Sequence, residues 1–494
     1  MCRSITQSNL VSPTVYDQRV GAVRAMSIPK PGQATQCVTD VLNNLAQTSE
    51  LLAAVAERMD ATALKEAEHR DSMAAAGTHL GNLHGLPFVV KDIIDVAGVS
   101  TRSGSLTRKY MPPCEKDAPV VAALRGAGAI PVAKANTVEF AIGGWGTNLT
   151  IGTPRNPWDL ETHRNPGGSS SGTGVLVGAG VAAAGLGTDT GGSVRLPAAF
   201  CGCVGLKTSI GLVSRTGVTP LSETLDTVGP LTSSVELAAQ MLAVMQGPDL
   251  DDPTTLGSFG KCPLAELEKG ISGMRLGRIK TEAMTYLSAD MHDAFEAALD
   301  QLRAAGATVS ECELPMAFDE YQQLGGLISA TEAYATYANL VDDPSAPLAD
   351  PIRKRMARGR DVSAAERVRI ERNRARSIDD FEAVIDRFDA IVLPTTPFTA
   401  IPIADIDEDD MTYGSHTRFA NFLELAGLSV PMGLSPAGLP TSLQIVVRRF
   451  DDPLALRIGK AFEDIRGDFP LPKWIGNRAA GGNAELPQAA SFSN

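Results

Sequence analysis

The sequence predicts an α/β fold introduced by a helical N-terminal region, and three observations carry that prediction. Val41, Leu42, Leu45, Leu51, Leu52, Val55 and Met59 recur at helical spacing. From Leu83 onward the texture changes to short apolar runs alternating with helix-period segments. The chain is 494 residues long, 44% hydrophobic and 20% charged, the profile of a globular protein with a large core. A prior of roughly 150 residues per domain allows up to about three domains, although single α/β folds also reach this size.

Taken in order, residues 1–33 read as an irregular lead-in that closes on Pro29, Pro31 and Gly32. Helix follows to about residue 76, with Ala61 to Ala75 rich in strong helix formers. Pro87 to Val90 reads as a buried strand with Lys91 at its end. Ala118 to Gly126 reads as helix, Ala129 to Ala133 as strand, and the pair Asn136 and Glu139 as a capping box opening a further helix. Val175 to Ala182 is expected as helix and Ala183 to Gly187 as a strand that delivers the loop ending in Ser193, where another helix begins. Strands are expected at Met274 to Ile279, Ala390 to Leu393, Leu428 to Met432 and Thr441 to Val447. Helices are expected at Asp290 to Ala305, across Glu320 to Arg387 with one break near Pro344 to Pro351, and at Leu454 to Ile465. The domain reading is 1–76 as arm and helical region, 77–478 as the α/β domain and 479–494 as a flexible tail.

Charge and cysteine usage exclude several classes. A net charge of −13, from 44 basic and 57 acidic residues, argues against broad nucleic-acid binding. The basic patch from Arg353 to Arg360 reads as a solvated helix face. Seven scattered cysteines, an odd number, do not form a disulfide framework, and Cys201-x-Cys203 has no nearby histidine to complete a zinc site. No secretory h-region follows the N-terminal basic residues, and the apolar stretch Gly174 to Gly187 spans 14 residues. A bilayer crossing needs about 20. The chain is therefore expected in the cytoplasm, away from membranes.

Chemistry concentrates in three places: Lys91 in GLPFVVKD, Ser169 in GGSSSG and Ser193 in GTDTGGS. The run from Gly167 to Gly192 holds ten glycines, far above the roughly 7% of average protein. Such density frees backbone N–H groups to face an anion. Gly168 to Gly172 also fits the G-x-S-x-G nucleophile elbow and would nominate Ser170, but the polar ETHRNPGG before it is no strand. His84 and His163 leave a Ser-His-Asp triad open by count, though neither lies in a triad context. No dinucleotide or P-loop glycine pattern is present.

These motifs resemble those of the amidase signature family of serine hydrolases. GLPFVVKDIIDVAG, NPGGSSSGTG and GTDTGGSVRLPAAFCGCVGLK follow the family's order, with its 24-residue spacing between Ser169 and Ser193. The similarity runs from about residue 37 to 465 and includes PTTPFTA at 394–400 and GLPTSLQIVVRRFDD at 438–452. The resemblance implies one α/β/α domain around a large mixed β-sheet. It implies Ser193 as nucleophile, Ser169 as a bridging serine after a cis peptide, and Lys91 as base. Ser171 and Thr208 depart from the common glycine and proline, away from the three catalytic positions.

Physical chemistry sets the same requirements. For Lys91 to act as a base near neutrality, its pKa must come down by about 3 from 10.4, roughly 4 kcal/mol, which burial supplies. Thr190, Gly191 and Gly192, with Ser193, are expected to turn backbone N–H groups toward the oxyanion. Asp189 and Arg195 read as a structural ion pair. Trp145, Ser170 and Tyr321 are the substrate-binding candidates, with Tyr334, Met356 and Phe422 as further guesses from the family's variable regions.

The expected activity is hydrolysis of a small-molecule amide, with carbamates and ureides as variants, through an acyl-enzyme. No cofactor and no metal are expected, and a homodimer is the expected assembly. The alternative is the glutamine-hydrolysing component of a tRNA-dependent transamidation complex. That reading meets two departures: Ser193-Val-Arg-Leu-Pro197 instead of SIRQP, and HTRFANF at 416–422, without the aspartate those proteins carry ahead of an FT dipeptide.

Overall fold

A computed structural model describes residues 29–473, Pro31 and Phe259 apart. The N-terminal lead-in up to residue 28, Cys2 and the 479–494 tail lie outside the described residues. Eleven strands are described: β1 Val55–Arg58, β2 Pro87–Lys91, β3 Ile130–Ala135, β4 Ala184–Asp189, β5 Val204–Lys207, β6 Thr227–Thr232, β7 Arg275–Ile279, β8 Thr308–Cys312, β9 Ala390–Pro394, β10 Ala426–Leu434 and β11 Pro440–Val447. The α-helices in the first half are α1 Ala34–Leu52, α2 Asp60–Ala75, α3 Pro119–Gly126, α4 Ser171–Gly178, α5 Arg195–Cys201 and α6 Val235–Met245. The second half adds α7 Ala289–Ala304, α8 Phe318–Val341, α9 Asp350–Ala357, α10 Ala364–Ile385, α11 Arg418–Phe422 and α12 Asp452–Arg466.

All eleven strands form one mixed sheet in the order β1-β3-β2-β4-β6-β5-β10-β11-β9-β7-β8. Its centre, from β4 to β9, is antiparallel, while β3-β2-β4 and β9-β7-β8 run parallel. Successive side chains of a strand leave opposite faces. On β2, Phe88 and Val90 enter the large apolar core while Val89 enters a second one, so the sheet is packed on both faces. Among the described residues no helix is long and apolar enough to cross a membrane.

Two local readings change. The N-terminal region is not continuously helical: α1 stops at Ala53, whose φ is 48°, and β1 pairs antiparallel with β3, Val55 opposite Ala135 and Arg58 opposite Ala133. The four-residue spacing of Val55 and Met59 suited a helix equally well. The capping box does not open an α-helix. Asn136 Nδ2 donates to Ala53 O at 2.7 Å, and the Glu139 carboxylate accepts from Ser105 Oγ at 2.6 Å and Ala349 N at 3.0 Å. Tertiary contacts thus claim both capping side chains, and only a three-residue turn remains.

Part of the glycine density serves packing. A Cβ on Gly178 would meet Cys201 O at 2.2 Å, and one on Gly174 would meet Pro197 Cβ at 2.7 Å, so these glycines let α4 lie directly against α5. That contact holds the Ser169 loop beside the Ser193 loop.

Candidate active site

Lys91 ends β2 and Thr188 lies near the end of the parallel neighbour β4, which continues into the Ser193 loop. In open α/β sheets, sites form at the carboxyl ends of such strands. Lys91 is fully buried, its Nζ donating to Ser169 Oγ at 2.7 Å and Thr188 Oγ1 at 2.8 Å. Burial lowers its pKa to about 7, against the opposing pull of Asp226 and Asp189.

Ser169 follows a cis Gly168–Ser169 peptide. Its carbonyl accepts from Thr137 Oγ1 at 2.8 Å and Val138 N at 3.2 Å. The neighbouring Ser170 N donates to Ser193 O at 3.2 Å, joining the two serine loops. Ser193 Oγ has no hydrogen bond to a described residue, and the side chain lines a cavity of about 310 Å³.

The loop that carries Ser193 is fixed from behind by the Asp189–Arg195 pair, as expected. Arg195 Nε and Nη2 donate to the two Asp189 oxygens at 3.0 and 2.9 Å, and both residues are fully buried. The remaining guanidinium donors reach Thr417 O, Gln444 Oε1 and Asn421 Oδ1 at 2.6–2.8 Å. Burial pulls the Asp189 pKa up, but Arg195, Lys207 and Asn421 outweigh it and hold the carboxyl well below the usual range. Asp189 also accepts from Gly192 N at 2.7 Å and Val194 N at 3.1 Å. Gly192 N–H is therefore already committed. The N–H groups of Thr190, Gly191 and Ser193 make no such contact, so of the four expected oxyanion donors Gly192 is the one that Asp189 engages.

Removing one partner of a buried ion pair leaves the other uncompensated, at a cost of about 3–5 kcal/mol. Arg195→Met is accordingly expected to lower the denaturant midpoint by an amount equivalent to that range. A loss below about 1 kcal/mol, the size of an exposed pair, would show that the network does not hold the loop.

The three substrate-binding candidates do not line the cavity. Trp145 is buried, its Nε1 donating to Asp407 O at 3.2 Å and Asp410 O at 3.0 Å, and its ring supports Tyr413 at 4.7 Å. Ser170 is buried against Thr188, and Tyr321 packs between Phe419 and Phe422. Tyr334 bonds Asp342 away from the cavity, and Phe422 is core. Of the further guesses, Met356 alone lines it. No histidine is among the lining residues; His84 is held by Leu80 N and Arg70 O, and His416 is fully buried against Pro394 O.

Sequence reasoning missed Tyr413, Arg355, Arg358 and Arg418 as lining residues. Arg355 and Arg358 fell inside the patch read as a solvated face. Instead, Arg353 donates to the carbonyls of Leu340, Val341, Asp343 and Ala346, and Arg355 pairs with Glu408 at 2.9 Å. Asp226, also missed, binds Thr190 Oγ1 and the backbone N–H groups of Leu221 and Ser222. Among the described residues no histidine, cysteine and carboxylate cluster could hold a metal ion.

The geometry agrees with comparison to known proteins. Residues 36–456 match the family described as Amidase. The glutamyl-tRNA(Gln) amidotransferase A-subunit of Symbiobacterium thermophilum is 35% identical over 460 residues, covering 87% of this chain and 93% of that protein. A chain of a vestigial protein complex tied to the origins of an s-triazine catabolic enzyme superposes with a TM-score of 0.83 at 30% identity, covering 89% of this chain and 96% of that one. Native peptide amidase from Stenotrophomonas maltophilia gives a TM-score of 0.79 at 30% identity, covering 92% and 98%. With a lysine buried against a serine at the end of an eleven-stranded mixed sheet, and with these matches along most of its length, the chain belongs to the amidase signature family, hydrolases of carbon–nitrogen bonds.

Proposed function

We propose that this chain cleaves a small-molecule amide through a covalent acyl-Ser193 intermediate, with Lys91 as base and Ser169 as proton relay. The observation that carries the reading is the buried Lys91, held near pKa 7 and hydrogen-bonded to Ser169 at 2.7 Å. Neutral Lys91 takes the Ser169 proton while Ser169 takes that of Ser193, whose Oγ attacks the carbonyl carbon. Backbone N–H groups of Gly191 and Ser193 stabilise the oxyanion. The proton returns through Ser169 to the leaving nitrogen, the C–N bond breaks, and the amine departs. Water, deprotonated by the same relay, then releases the acid. The Ser169 and Ser193 hydroxyls are not hydrogen-bonded to each other, and catalytic hydrogen bonds often close only in the Michaelis complex. The six described cysteines are free thiols, which supports the cytoplasm as the proposed compartment.

This mechanism requires Lys91 uncharged. Below its pKa the amine is protonated and cannot accept, so kcat/KM is expected to rise with pH through about 7 and level off above it. Lys207 also titrates near 7, lowered by burial and by Arg195, but it donates to Leu425 O and Thr208 O and does not line the cavity. The limb should therefore disappear in Lys91→Met. A flat wild-type profile from pH 5 to 9 would sink the base assignment.

The curated relatives favour the second reading over the first. Those at 32–37% identity carry the name of the glutamyl-tRNA(Gln) amidotransferase A-subunit. In that setting the amide is glutamine's and the chain works beside partner proteins. Assaying the purified chain alone on simple amides and on glutamine separates the two: turnover of simple amides supports the free-standing amidase, whereas glutamine turnover that needs partner proteins supports the second.

A further inference from the structure

The cavity beside Ser193 carries more positive charge than its own acids neutralise. Lys354, Arg355, Arg358 and Arg418 line it, against one carboxylate, Asp409. Asp409 is engaged by Lys354, and Arg355 is engaged by Glu408. Asp189, the acid behind the loop, is saturated by Arg195, Gly192, Val194 and Asn421. The guanidinium groups of Arg358 and Arg418 make no hydrogen bond or ion pair with a described residue.

Arg418 is the informative one. It opens α11, its side-chain stem lies against Gly325, and its guanidinium covers Gly191 so closely that a Cβ there would be 2.7 Å from Cζ and 2.9–3.0 Å from the two terminal nitrogens. A guanidinium in this position has lost much of its water without gaining an acid, which costs free energy unless an anion completes it. Its planar fork of donors matches a carboxylate in two parallel hydrogen bonds. Gly191 is two residues from Ser193 and both line the same cavity, so a group held by Arg418 shares that cavity with the nucleophile.

We infer that the site selects amides that carry a carboxylate, with Arg418 as the residue that grips it and Arg358 adding positive potential at the same cavity. This rests on the reading of Ser193 as nucleophile, and it applies to a small carboxylated amide and to free glutamine alike.

The test uses the full chain as Ser193→Ala, so that binding is read without turnover. Malonamate, succinamate and glutaramate are titrated by calorimetry against their methyl esters, which differ in the charge. At least one acid is expected to bind roughly 10- to 100-fold more tightly than its ester, the range for a hydrogen-bonded charge. That preference should collapse on adding Arg418→Met and survive in part in Arg418→Lys, with far-UV circular dichroism confirming that each variant is folded. If all three acids bind no better than their esters, or if the preference persists in Arg418→Met, the inference is overturned. Labelling of wild-type Ser193 by a fluorophosphonate is read separately, so a failure of the nucleophile assignment is distinguishable from a failure of the carboxylate site.

Discussion

Ser193→Ala is expected to lower kcat for an amide substrate on the order of 10⁶-fold, about 8 kcal/mol, the scale seen when a serine nucleophile is removed from a hydrolase. The Thr190 and Ser329 hydroxyls, which line the same cavity, are engaged by Asp226 and by the carbonyls of Gly325 and Gly326. Ser169 is spent on Lys91, and Ser170 is buried against Thr188 outside the cavity. The same substitution should barely move stability. Ser193 Oγ makes no hydrogen bond to a described residue, so alanine leaves no buried partner unsatisfied, and the change in unfolding free energy should stay within about 0.5 kcal/mol. A variant that unfolds, or one that keeps more than a hundredth of the rate, contradicts the assignment.

Lys91→Met carries the second large effect, and here the substrate decides its size. An amine leaving the tetrahedral intermediate must be protonated, whereas the oxygen of an activated ester departs nearly unaided. With Lys91 and Ser169 as the proton source, kcat/KM on an amide should fall roughly 10³- to 10⁴-fold, the upper range for general acid–base catalysis, and on an acyl-matched activated ester by only about 10-fold. Methionine fills much of the lysine's volume, which limits the cavity penalty at a fully buried position. Equal losses on the two substrates would mean that Lys91 only activates the nucleophile or supports the fold, and the relay role of Ser169 would be withdrawn.

The parts of the fold that were legible in the sequence are those where periodicity and burial agree. β2, β9 and β11 are fully buried and apolar-rich, α7 and α12 are amphipathic, and the expected positions match within a few residues. The sequence does not mark β6 as a strand, because Gly229 and Pro230 interrupt it and those residues ordinarily argue against a strand interior. Here the glycine is required: a Cβ on Gly229 would lie 1.9 Å from Leu206 O of the adjacent β5. β8 carries no apolar pattern in the sequence, because its Thr308 to Glu311 stretch is largely exposed at the sheet edge.

The site divides along a similar line. Ser169 and Ser193 announce themselves through glycine-rich motifs and Lys91 through the apolar strand it ends, and the two serine loops meet beside the ends of β2 and β4. The cavity wall does not. Arg418, Tyr413 and Arg358 come from segments more than 150 residues beyond Ser193. Local pattern reading does not bridge that separation, and each aromatic or basic residue there looks alone like ordinary core or surface. Trp145 illustrates the converse, since its place between the lysine and serine motifs suggested substrate contact while its ring holds Tyr413 from behind.

Whether Ser193 carries the acyl group is decided by locating the covalent adduct of a serine-directed probe. Trypsin leaves residues 165–195 as one peptide that contains Ser169, Ser170, Ser171 and Ser193, so the adduct has to be placed by fragment ions. After reaction with a fluorophosphonate, a single modification is expected, on Ser193, and it should be absent from Ser193→Ala. A modification on Ser169 or Ser170, or labelling that persists in the alanine variant, would contradict it.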